Sequence, residues 1–415
     1  MSLKFTFWIF QTGEPLHCDI ENRRPMRAIN LSNKLIEAGH NVVLWSSAFD
    51  HQNKNHRTKE YKIININKNL EIRLIPSFGY TKHIGFRRLL DHLHMAWNLK
   101  KILAREESLP DVAFIGYPPI ETAAVLAKWL KSRKIPMILD IKDLWPSIFV
   151  DAFPKLFKPV AIIVFYPFFM VAKKLLTDVS AISSMSESFL NWSYDFANRI
   201  PNENDRIVRL TSINNEIDNK SLEFAKKWWY AKGVVKNIPK VFFVGTFSTA
   251  FDFDEIYNAA YSLPKCQFVL CGHGPCLDEV KKKMSSLNNV IFPGWIDTVK
   301  MQSLAKMSVA TIAPYRNTQN FTLNIPNKIV DSLLMGLPIL CPLRGEVLDL
   351  IQKHRVGLTY NEEFSLKKCI QTLIEDKRLQ KKISINARKL YDDEFEFNKV
   401  YDGLVFQLER MAINE

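Results

Sequence analysis

The chain has 415 residues, of which 47% are hydrophobic and 24% charged, a composition typical of globular proteins and unlike that of disordered or fibrous ones. This length exceeds what one hydrophobic core usually serves, so we expect two domains. The formal charge of +13 favours an acidic partner: a phosphorylated substrate, an anionic membrane surface or a nucleic acid. Six scattered cysteines argue against a zinc module or a disulfide framework and indicate a reducing compartment.

The first half of the chain predicts alternating strands and helices. Residues 4–10 form an apolar run typical of a buried strand, and a helix from about Arg23 to Ala38 precedes a second strand at 41–46. Ligands of open α/β sheets bind beyond the carboxyl ends of the strands. Gly13, in the loop after the first strand, is therefore a candidate ligand contact.

Basic residues cluster in two places on this predicted domain. The segment 80–88 is a basic, aromatic loop before a helix, and we interpret it as a substrate-binding or membrane-facing patch rather than as a solvated helix start. A second group lies at the start of the first helix. The basic residues of the two groups are Arg24, Arg27, Lys82, Arg87 and Arg88.

Two charged residues follow the strand expected at 136–140. Lys142 and Asp143 lie just past its carboxyl end, where side chains point into a crevice rather than into the core. The alternative is a loop closed by an ion pair. We therefore expect both residues to line a ligand site.

An unusually apolar run occupies residues 160–172. It is shorter than the ~20 residues that span a bilayer, contains Pro167 at its centre, and is flanked by lysines. The flanking residues are Lys155, Lys158, Lys173 and Lys174. This pattern favours a helix that lies in a membrane interface, with a buried core helix as the alternative.

A polar, turn-rich segment at 191–209 is the strongest linker signal, and it separates domains at 1–205 and 206–390. In the second domain a strand at 241–244 ends in Gly245 and Thr246, whose backbone could approach a phosphate. Asp252 and Asp254 spell an Asp-x-Asp sequence at a helix start, which we interpret as helix capping, so no metal site is expected.

Residues 324–341 predict a polar turn, a helix of about three turns and a buried strand. Lys328 and Asp331 lie three residues apart, on one face of the helix. The amino end of a helix attracts anions, and a lysine there favours a diphosphate site that begins at Asn324. Asp331 could accept hydrogen bonds from a ribose, although both residues could also belong to a solvated helix face.

These motifs resemble those of bacterial glycosyltransferases of family four, of the surface polysaccharide type. The segment Pro326-Asn327-Lys328 with Asp331, Gly336 and Pro338 is similar to the family's Pro-Ser/Asn-Lys-x-x-Glu-x-x-x-x-Gly-x-Pro, with Asp331 in place of the Glu and Leu323 in place of an earlier Glu. The run 140–146, Asp-Ile-Lys-Asp-Leu-Trp-Pro, also resembles this group, and it would face the transferred sugar. Segment 293–296 resembles the part that contacts the nucleotide base, which implicates Trp295 and Ile296.

The resemblance implies an α/β protein of GT-B fold, with two Rossmann-like domains facing across a cleft and a final helix within 391–415 that packs back on the first domain. It implies a retaining, hexosyltransferase-type enzyme that takes a nucleotide diphosphate sugar, UDP-linked, without metal or other cofactor. The candidate donor-binding residues are Gly13, Gly245, Thr246, Trp295, Ile296, Asn324, Lys328 and Asp331. The resemblance implies that the catalytic residues are Lys142, Asp143 and Lys328, and that the acceptor-binding residues are Arg24, Arg27, Lys82, Arg87 and Arg88.

We expect the acceptor to be a lipid-linked glycan, and the enzyme to be cytoplasmic and peripheral on the inner face of the membrane. Two other functions remain open. A nucleotide-sugar epimerase can share the GT-B fold, and a nucleic-acid-binding protein would explain the positive charge, although no known binding module is visible.

Overall fold

A computed structural model describes residues 3–19, 24–81, 85–151, 153–214 and 216–413. The chain divides into two compact units: unit 1 comprises Met1–Val208 and Asn398–Glu415, and unit 2 comprises Arg209–Phe397. The first boundary lies three residues after the expected one at 205/206. The chain returns to unit 1 at Asn398, seven residues after the expected start at 391.

In the described residues, unit 1 contains ten strands, six complete helices and all but the first residue of a seventh. The strands are β1 (Thr6–Phe10), β2 (Asn41–Ser47), β3 (Phe49–Asp50), β4 (Asn55–His56), β5 (Lys62–Asn67), β6 (Leu70–Ile75), β7 (Val112–Tyr117), β8 (Met137–Ile141), β9 (Ala181–Ser184) and β10 (Arg206–Ile207). The helices are α1 (Arg27–Glu37), α2 (Phe86–Leu103), α3 (Ile120–Lys131), α4 (Ser147–Asp151), α5 (Lys158–Asp178), α6 (Glu187–Ala197) and, at the end of the chain, α16 (Phe397–Ile413).

The main sheet of unit 1 has the order β10-β9-β8-β7-β1-β2-β6-β5. Its neighbours are parallel except β5, which runs antiparallel to β6, and β3 and β4 form a separate antiparallel pair. The chain leaves β1 towards β2 and later returns to its other side with β7, so the carboxyl end of β1 is a topological switch point. Such points are where open α/β sheets bind ligands.

Unit 2 is a second, smaller α/β unit. Its strands are β11 (Lys240–Val244), β12 (Gln267–Cys271), β13 (Val290–Gly294), β14 (Ala310–Ile312), β15 (Ile339–Cys341) and β16 (Gly357–Thr359). Its helices are α7 (Asn219–Ala231), α8 (Asp254–Ser262), α9 (Leu277–Lys283), α10 (Thr298–Ala305), α11 (Gln319–Thr322), α12 (Asn327–Leu334), α13 (Glu346–His354), α14 (Leu366–Glu375) and α15 (Lys377–Leu390), followed by a π-helical turn at Tyr391–Phe395.

The sheet of unit 2 is parallel throughout, in the order β13-β12-β11-β14-β15-β16. Here β11 has the same role as β1, because the chain passes to β12 on one side and to β14 on the other. The core contains an aromatic cluster in which the Phe247 and Phe253 rings stack 5.0 Å apart and Phe243 packs edge-on against both.

Three predicted segments differ from the structure. The expected linker at 191–209 is partly helix α6, because Ser186 caps that helix and Phe189 and Leu190 are buried. Helix α12 has 8 residues, fewer than three turns, and Pro326 lies just before it. The last helix begins at Phe397 rather than at 392, because Glu396 has an extended backbone that interrupts it.

The apolar run at 160–172 lies in helix α5. Together with the 3-10 turn before it, Lys155–Asp178 is long and apolar enough to cross a membrane by length and composition, with a mean hydropathy of 1.8. Only 22% of its most apolar stretch is buried, and Leu156 and Ile163 are 83% and 74% exposed. The segment is therefore not a core helix.

Helix α16 packs within unit 1. Tyr401, Leu404 and Leu408 are buried, and Lys34 Nζ lies 3.1 Å from Asp402 Oδ1. Further along, His40 Nε2 lies 2.8 Å from Glu409 Oε1. The end of the chain is thus part of the core of unit 1.

Candidate functional site

A cavity of about 210 Å³ opens at the switch point of unit 1. It is formed by the loops that follow β1, β7 and β8, together with α2, because the carboxyl ends of these neighbouring strands meet at one edge of the sheet. Its lining residues are Gln11, Thr12, Gly13, Glu14, Met26, Ser47, Phe49, His51, Tyr80, Arg88, Asp91, His92, Met95, Pro118, Pro119, Lys142 and Asp143.

Four of the predicted site residues line this cavity, and three of them follow strands while the fourth, Arg88, lies on α2. Gly13 follows β1, and Lys142 and Asp143 follow β8. Lys142 Nζ donates to Gln11 Oε1 at 2.9 Å and is paired with Glu14. The lysine is therefore held by the loop after β1, whereas Asp143 lies on the cavity wall.

The predicted acceptor-binding residues separate into different environments. Arg88 lines the cavity, whereas Arg24 and Arg87 are exposed outside its lining. Arg27 is buried: its guanidinium lies 3.3 Å from Asp140 Oδ2 and donates to Val208 O at 2.7 Å. Its assignment to the acceptor is therefore corrected to a structural role inside unit 1. Lys82 lies outside the described residues.

A polar pair that the sequence interpretation missed lies at the edge of the cavity. His92 lines the cavity, and its Nδ1 lies 3.8 Å from Glu121 Oε2 in the first turn of α3. Burial raises the pKa of Glu121 to about 7, and burial with the charge of Arg88 lowers the pKa of His92 to about 3. Glu121 comes four residues after β7, and that position beyond a strand's carboxyl end was a signal for it.

In unit 2 the Lys328 side chain reaches the carboxyl end of β11. Its ammonium donates to Val244 O, and a Cβ at Gly245 would overlap that ammonium, so a larger residue there would displace the lysine side chain. The ammonium also lies 4.8 Å from the ring centroid of Phe243 and 5.1 Å from that of Phe251. Lys328 is thus aimed at the switch point of this sheet from the first turn of α12.

The backbone N–H of Gly245 was expected to approach a phosphate, and the structure shows it engaged elsewhere. Its N–H donates to Cys271 O at 3.0 Å, so this N–H is engaged between the strands rather than directed at a phosphate. The contribution of Gly245 is the space that it leaves for Lys328.

Asp331 lies on the same helix, where its carboxylate accepts a hydrogen bond from Ser212 Oγ. The Ser212 carbonyl in turn accepts one from the Tyr391 hydroxyl. Asp331 and Lys328 both line a space of about 20 Å³, which admits a water-sized group. Asp331 is therefore oriented by a network within unit 2.

The other predicted donor residues differ in exposure. Trp295 is 66% exposed and Thr246 is also exposed, whereas Ile296 is buried in a small apolar cluster behind β12. Asn324 is buried, and its side chain accepts a hydrogen bond from Ile325 N at 2.7 Å. Ile296 and the Asn324 side chain are thus engaged inside unit 2.

Both aspartates of the Asp-x-Asp sequence are engaged in hydrogen bonds or ion pairs within unit 2. Asp252 Oδ1 accepts from Asp254 N at 3.0 Å at the start of α8, and Asp252 lies 3.3 Å from Arg316. Asp254 is paired with Lys283 at 2.6 Å. Within the part of the chain that the structure describes, no cluster of three or more His, Cys, Asp or Glu side chains is suited to a metal ion.

Comparison with known proteins agrees with this architecture. Residues 238–376, within unit 2, match the family model described as Glycosyl transferases group 1. No curated protein matches the sequence significantly.

Several solved structures share the fold at low sequence identity. The chain superposes on sucrose-phosphate synthase from Thermosynechococcus elongatus with a TM-score of 0.72 at 14% identity, and 99% of each chain is covered. For WaaG, a glycosyltransferase involved in lipopolysaccharide biosynthesis, the TM-score is 0.65 at 13% identity, over 96% of this chain and 98% of that chain. For HepE from Anabaena in complex with UDP-glucose, the TM-score is 0.63 at 14% identity, over 98% of this chain and 100% of that chain. The chain therefore has the two-domain α/β fold of GT-B glycosyltransferases, and its second unit carries a group 1 glycosyltransferase domain.

Proposed function

We propose that this protein transfers a sugar from a nucleotide diphosphate sugar to a hydroxyl group of an acceptor, as a retaining hexosyltransferase. The observation that carries the proposal is the Lys328 ammonium at the carboxyl end of β11, inside the matched domain. HepE, a structural relative, has been solved with UDP and with UDP-glucose, which supports a UDP-linked donor.

The chemistry follows from the charge that develops during transfer. As the bond from the sugar to the diphosphate breaks, negative charge accumulates on the leaving group. Lys328 and the amino end of α12 would stabilise that charge, and Asp331 would accept hydrogen bonds from the ribose. In unit 1, Asp143 and Lys142 would contact the sugar. Catalysis would rest on orientation and electrostatics, without a covalent intermediate or a metal ion.

We further propose that the acceptor is a lipid-linked glycan of surface polysaccharide synthesis, and that the enzyme binds the inner face of the cytoplasmic membrane. The exposed apolar side of α5 supports this, since large exposed apolar patches mark interaction sites. Four flanking lysines suit anionic lipid. The six cysteines carry free thiols, as in a reducing compartment.

The proposal is tested with a panel of nucleotide sugars. Binding is measured first, by thermal shift, and turnover is measured second. We expect one UDP-sugar to stabilise the protein and to yield free UDP when an acceptor is present, with full activity in excess chelator. Isomerised nucleotide sugar without free UDP would identify an epimerase instead. Turnover that is lost in chelator and restored by Mg²⁺ would show that Asp252 and Asp254 bind a metal.

The positive charge leaves a nucleic-acid ligand to be tested as well. Salt-dependent binding of single or double strands, together with no effect of any nucleotide sugar, would contradict the glycosyltransferase proposal.

A further inference from the structure

Two buried titratable side chains lie close together at the edge of the cavity of unit 1. His92 lies on α2 and is 4% exposed, and the side chain of Glu121, in the first turn of α3, is 8% exposed. His92 Nδ1 lies 3.8 Å from Glu121 Oε2, which is about 0.6 Å beyond the usual limit of a hydrogen bond. A small movement of either side chain would therefore join them.

The polar atoms of this pair are not engaged elsewhere in the described residues. His92 Nδ1 is buried without a hydrogen-bond partner, and neither carboxyl oxygen of Glu121 makes a hydrogen bond to another described residue. Buried polar atoms are nearly always hydrogen-bonded in folded proteins. Because an imidazole nitrogen and a carboxyl group are complementary, we expect the two side chains to share one hydrogen bond.

The environment of each group determines its charge. Burial, together with the charges of Arg88 and His51, lowers the pKa of His92 to about 3, so its imidazole is neutral at physiological pH. A neutral imidazole carries one N–H and one lone pair. Burial raises the pKa of Glu121 to about 7, so this carboxyl group loses its proton within the physiological range. The pair therefore holds two protons below about pH 7 and one above it.

The charged and titratable neighbours of the pair come from α2, β7 and the turn after β3. On α2, Arg88 keeps its charge at all these pH values, and Asp91 already accepts a backbone hydrogen bond at 2.6 Å. On β7, burial and the charge of Glu121 raise the pKa of Tyr117, which stays neutral. His51 is therefore the neighbour whose own titration an experiment must separate from that of Glu121.

The protonation of Glu121 decides which ring nitrogen of His92 carries the imidazole proton. A protonated Glu121 donates its O–H to Nδ1, so the imidazole proton lies on Nε2. When Glu121 ionises, the pair loses one proton to solvent, the carboxylate accepts a hydrogen bond from Nδ1–H, and Nε2 keeps a lone pair. Since Nδ1 is buried beside Glu121 and His92 lines the cavity, Nε2 is the nitrogen that a bound molecule meets.

We propose that Glu121 is a positioning residue that acts through His92: the protonated pair presents a hydrogen-bond donor to the cavity, and the ionised pair presents an acceptor to a substrate hydroxyl group. This inference rests on the proposed function in one respect, which is that the hydroxyl is the one that attacks the sugar. In the ionised pair, Nε2 accepts the O–H of that group and orients its oxygen. With its pKa near 3, the imidazole orients the hydroxyl without removing its proton.

The first test needs no substrate. The full chain, labelled with ¹⁵N-histidine, is titrated from about pH 5.5 to pH 8.5, and NMR follows both ring nitrogens of His92, whose signals His92→Gln assigns. We expect Nδ1 and Nε2 to exchange character in opposite directions, with a midpoint near pH 7. Glu121→Gln should remove this titration. His51→Gln should keep it, as should Glu187→Gln, which changes an exposed carboxyl group of α6.

Ring nitrogens that do not titrate in this range, or that move together as an imidazolium forms, would overturn the proposal. Loss of the titration in His51→Gln would assign the proton to His51 and would overturn it as well. If Glu121→Gln does not fold, the wild type still decides the question, because only a change of tautomer moves the two nitrogen signals in opposite directions.

The second test measures the role of the pair in transfer. Wild-type kcat/KM for the acceptor should rise about tenfold or more from about pH 5.5 to pH 8, as the ionised form of Glu121 accumulates. Glu121→Gln should flatten this rise and leave UDP binding, measured by calorimetry, unchanged. The same pH profile in Glu121→Gln and wild type would overturn the positioning role. Absence of UDP binding in the wild type would contradict the proposed function alone, because the NMR titration tests the pair without any nucleotide.

Discussion

Lys328 and Gly245 lie so close together that a change in one affects the other. A Cβ at Gly245 meets the far end of a flexible side chain, so an alanine there would displace the Lys328 ammonium without unfolding unit 2. If this ammonium stabilises the leaving diphosphate, Lys328→Ala should lower kcat by about 10²-fold, as for removal of one oxyanion donor. Gly245→Ala should lower it in the same direction.

Steady-state kinetics with the UDP-sugar from the panel measure this effect, and Lys306→Ala serves as the exposed lysine control in unit 2. An unchanged kcat in Lys328→Ala would refute the role of this lysine. A fall in kcat that is explained only by a lower melting temperature would also refute that role.

Asp331 has a different expected role from Lys328. Asp331→Asn keeps the shape and one acceptor towards Ser212 Oγ, and removes the charge that would bind the ribose. It should therefore mainly raise KM for the donor, because ribose binding is the same in the ground state and the transition state. A loss confined to kcat would contradict this assignment.

Glu121 gives a prediction about pH. Its pKa is raised from 4.5 to about 7 by burial, although its own helix N–H and Arg88 lower it. Between these values the folded protein keeps a proton that the unfolded chain releases, so this group lowers stability as pH rises from about 4.5 to 7, by roughly 3 kcal/mol in total. Glu121→Gln should remove that loss.

Urea unfolding of unit 1 at pH 5 and pH 8 measures the difference. Glu121→Gln should be close to wild type at pH 5 and more stable at pH 8, whereas Glu187→Gln, an exposed residue in the first turn of α6, should change little at either pH. A variant less stable than wild type at pH 8 would show that Glu121 is ionised and paired in the folded protein.

At the scale of single elements, helix α5 carries the proposed membrane contact. Its buried residues include Ala161 and Ala172, whereas Ile163 and Val164 are exposed, so one side packs on unit 1 and the other remains available. A charge on that side should oppose burial in the lipid interface. Ile163→Glu should therefore weaken binding to anionic vesicles at least several-fold.

Vesicle flotation measures this, and Ile385→Glu, on an exposed position of α15 in unit 2, is the matched control. Binding of wild type should fall at high salt, because the lysine contribution is screened. Equal flotation with neutral lipid, or equal loss in both variants, would contradict the assignment of α5.

At the scale of the whole molecule, the last helix completes the first unit. Deleting residues 398–415 removes the buried side chains of Tyr401, Leu404 and Leu408 from unit 1. Burial of such side chains stabilises by about 1.5–3 kcal/mol each, so the loss should be on the order of 5 kcal/mol. Unit 1 should then unfold or become protease-sensitive, while unit 2 retains nucleotide-dependent protection.

Limited proteolysis with and without UDP separates the two units, and a deletion of 412–415 alone is the control. Simultaneous loss of protection in both units would show that unit 2 is not independently stable.

The sequence by itself determined the features that depend on local pattern. The alternation of apolar runs with helical segments predicted the α/β architecture, and the spacing of Lys328 and Asp331 placed both on one helix. The interrupted hydrophobic run of α5 with its flanking lysines indicated an interface helix, but a buried core helix stayed open as the alternative until the exposure of its side chains was known.

Only the tertiary structure decided which polar groups are neighbours. Arg27 was predicted to contact the acceptor. Its guanidinium instead donates to Asp140, which is 113 residues away, and to the Val208 carbonyl inside unit 1. The N–H of Gly245 is engaged by a neighbouring strand, and His92 meets Glu121 only because α2 packs against α3. Hydrogen bonds and burial at such positions arise from contacts between distant segments, and no local pattern of residues encodes them.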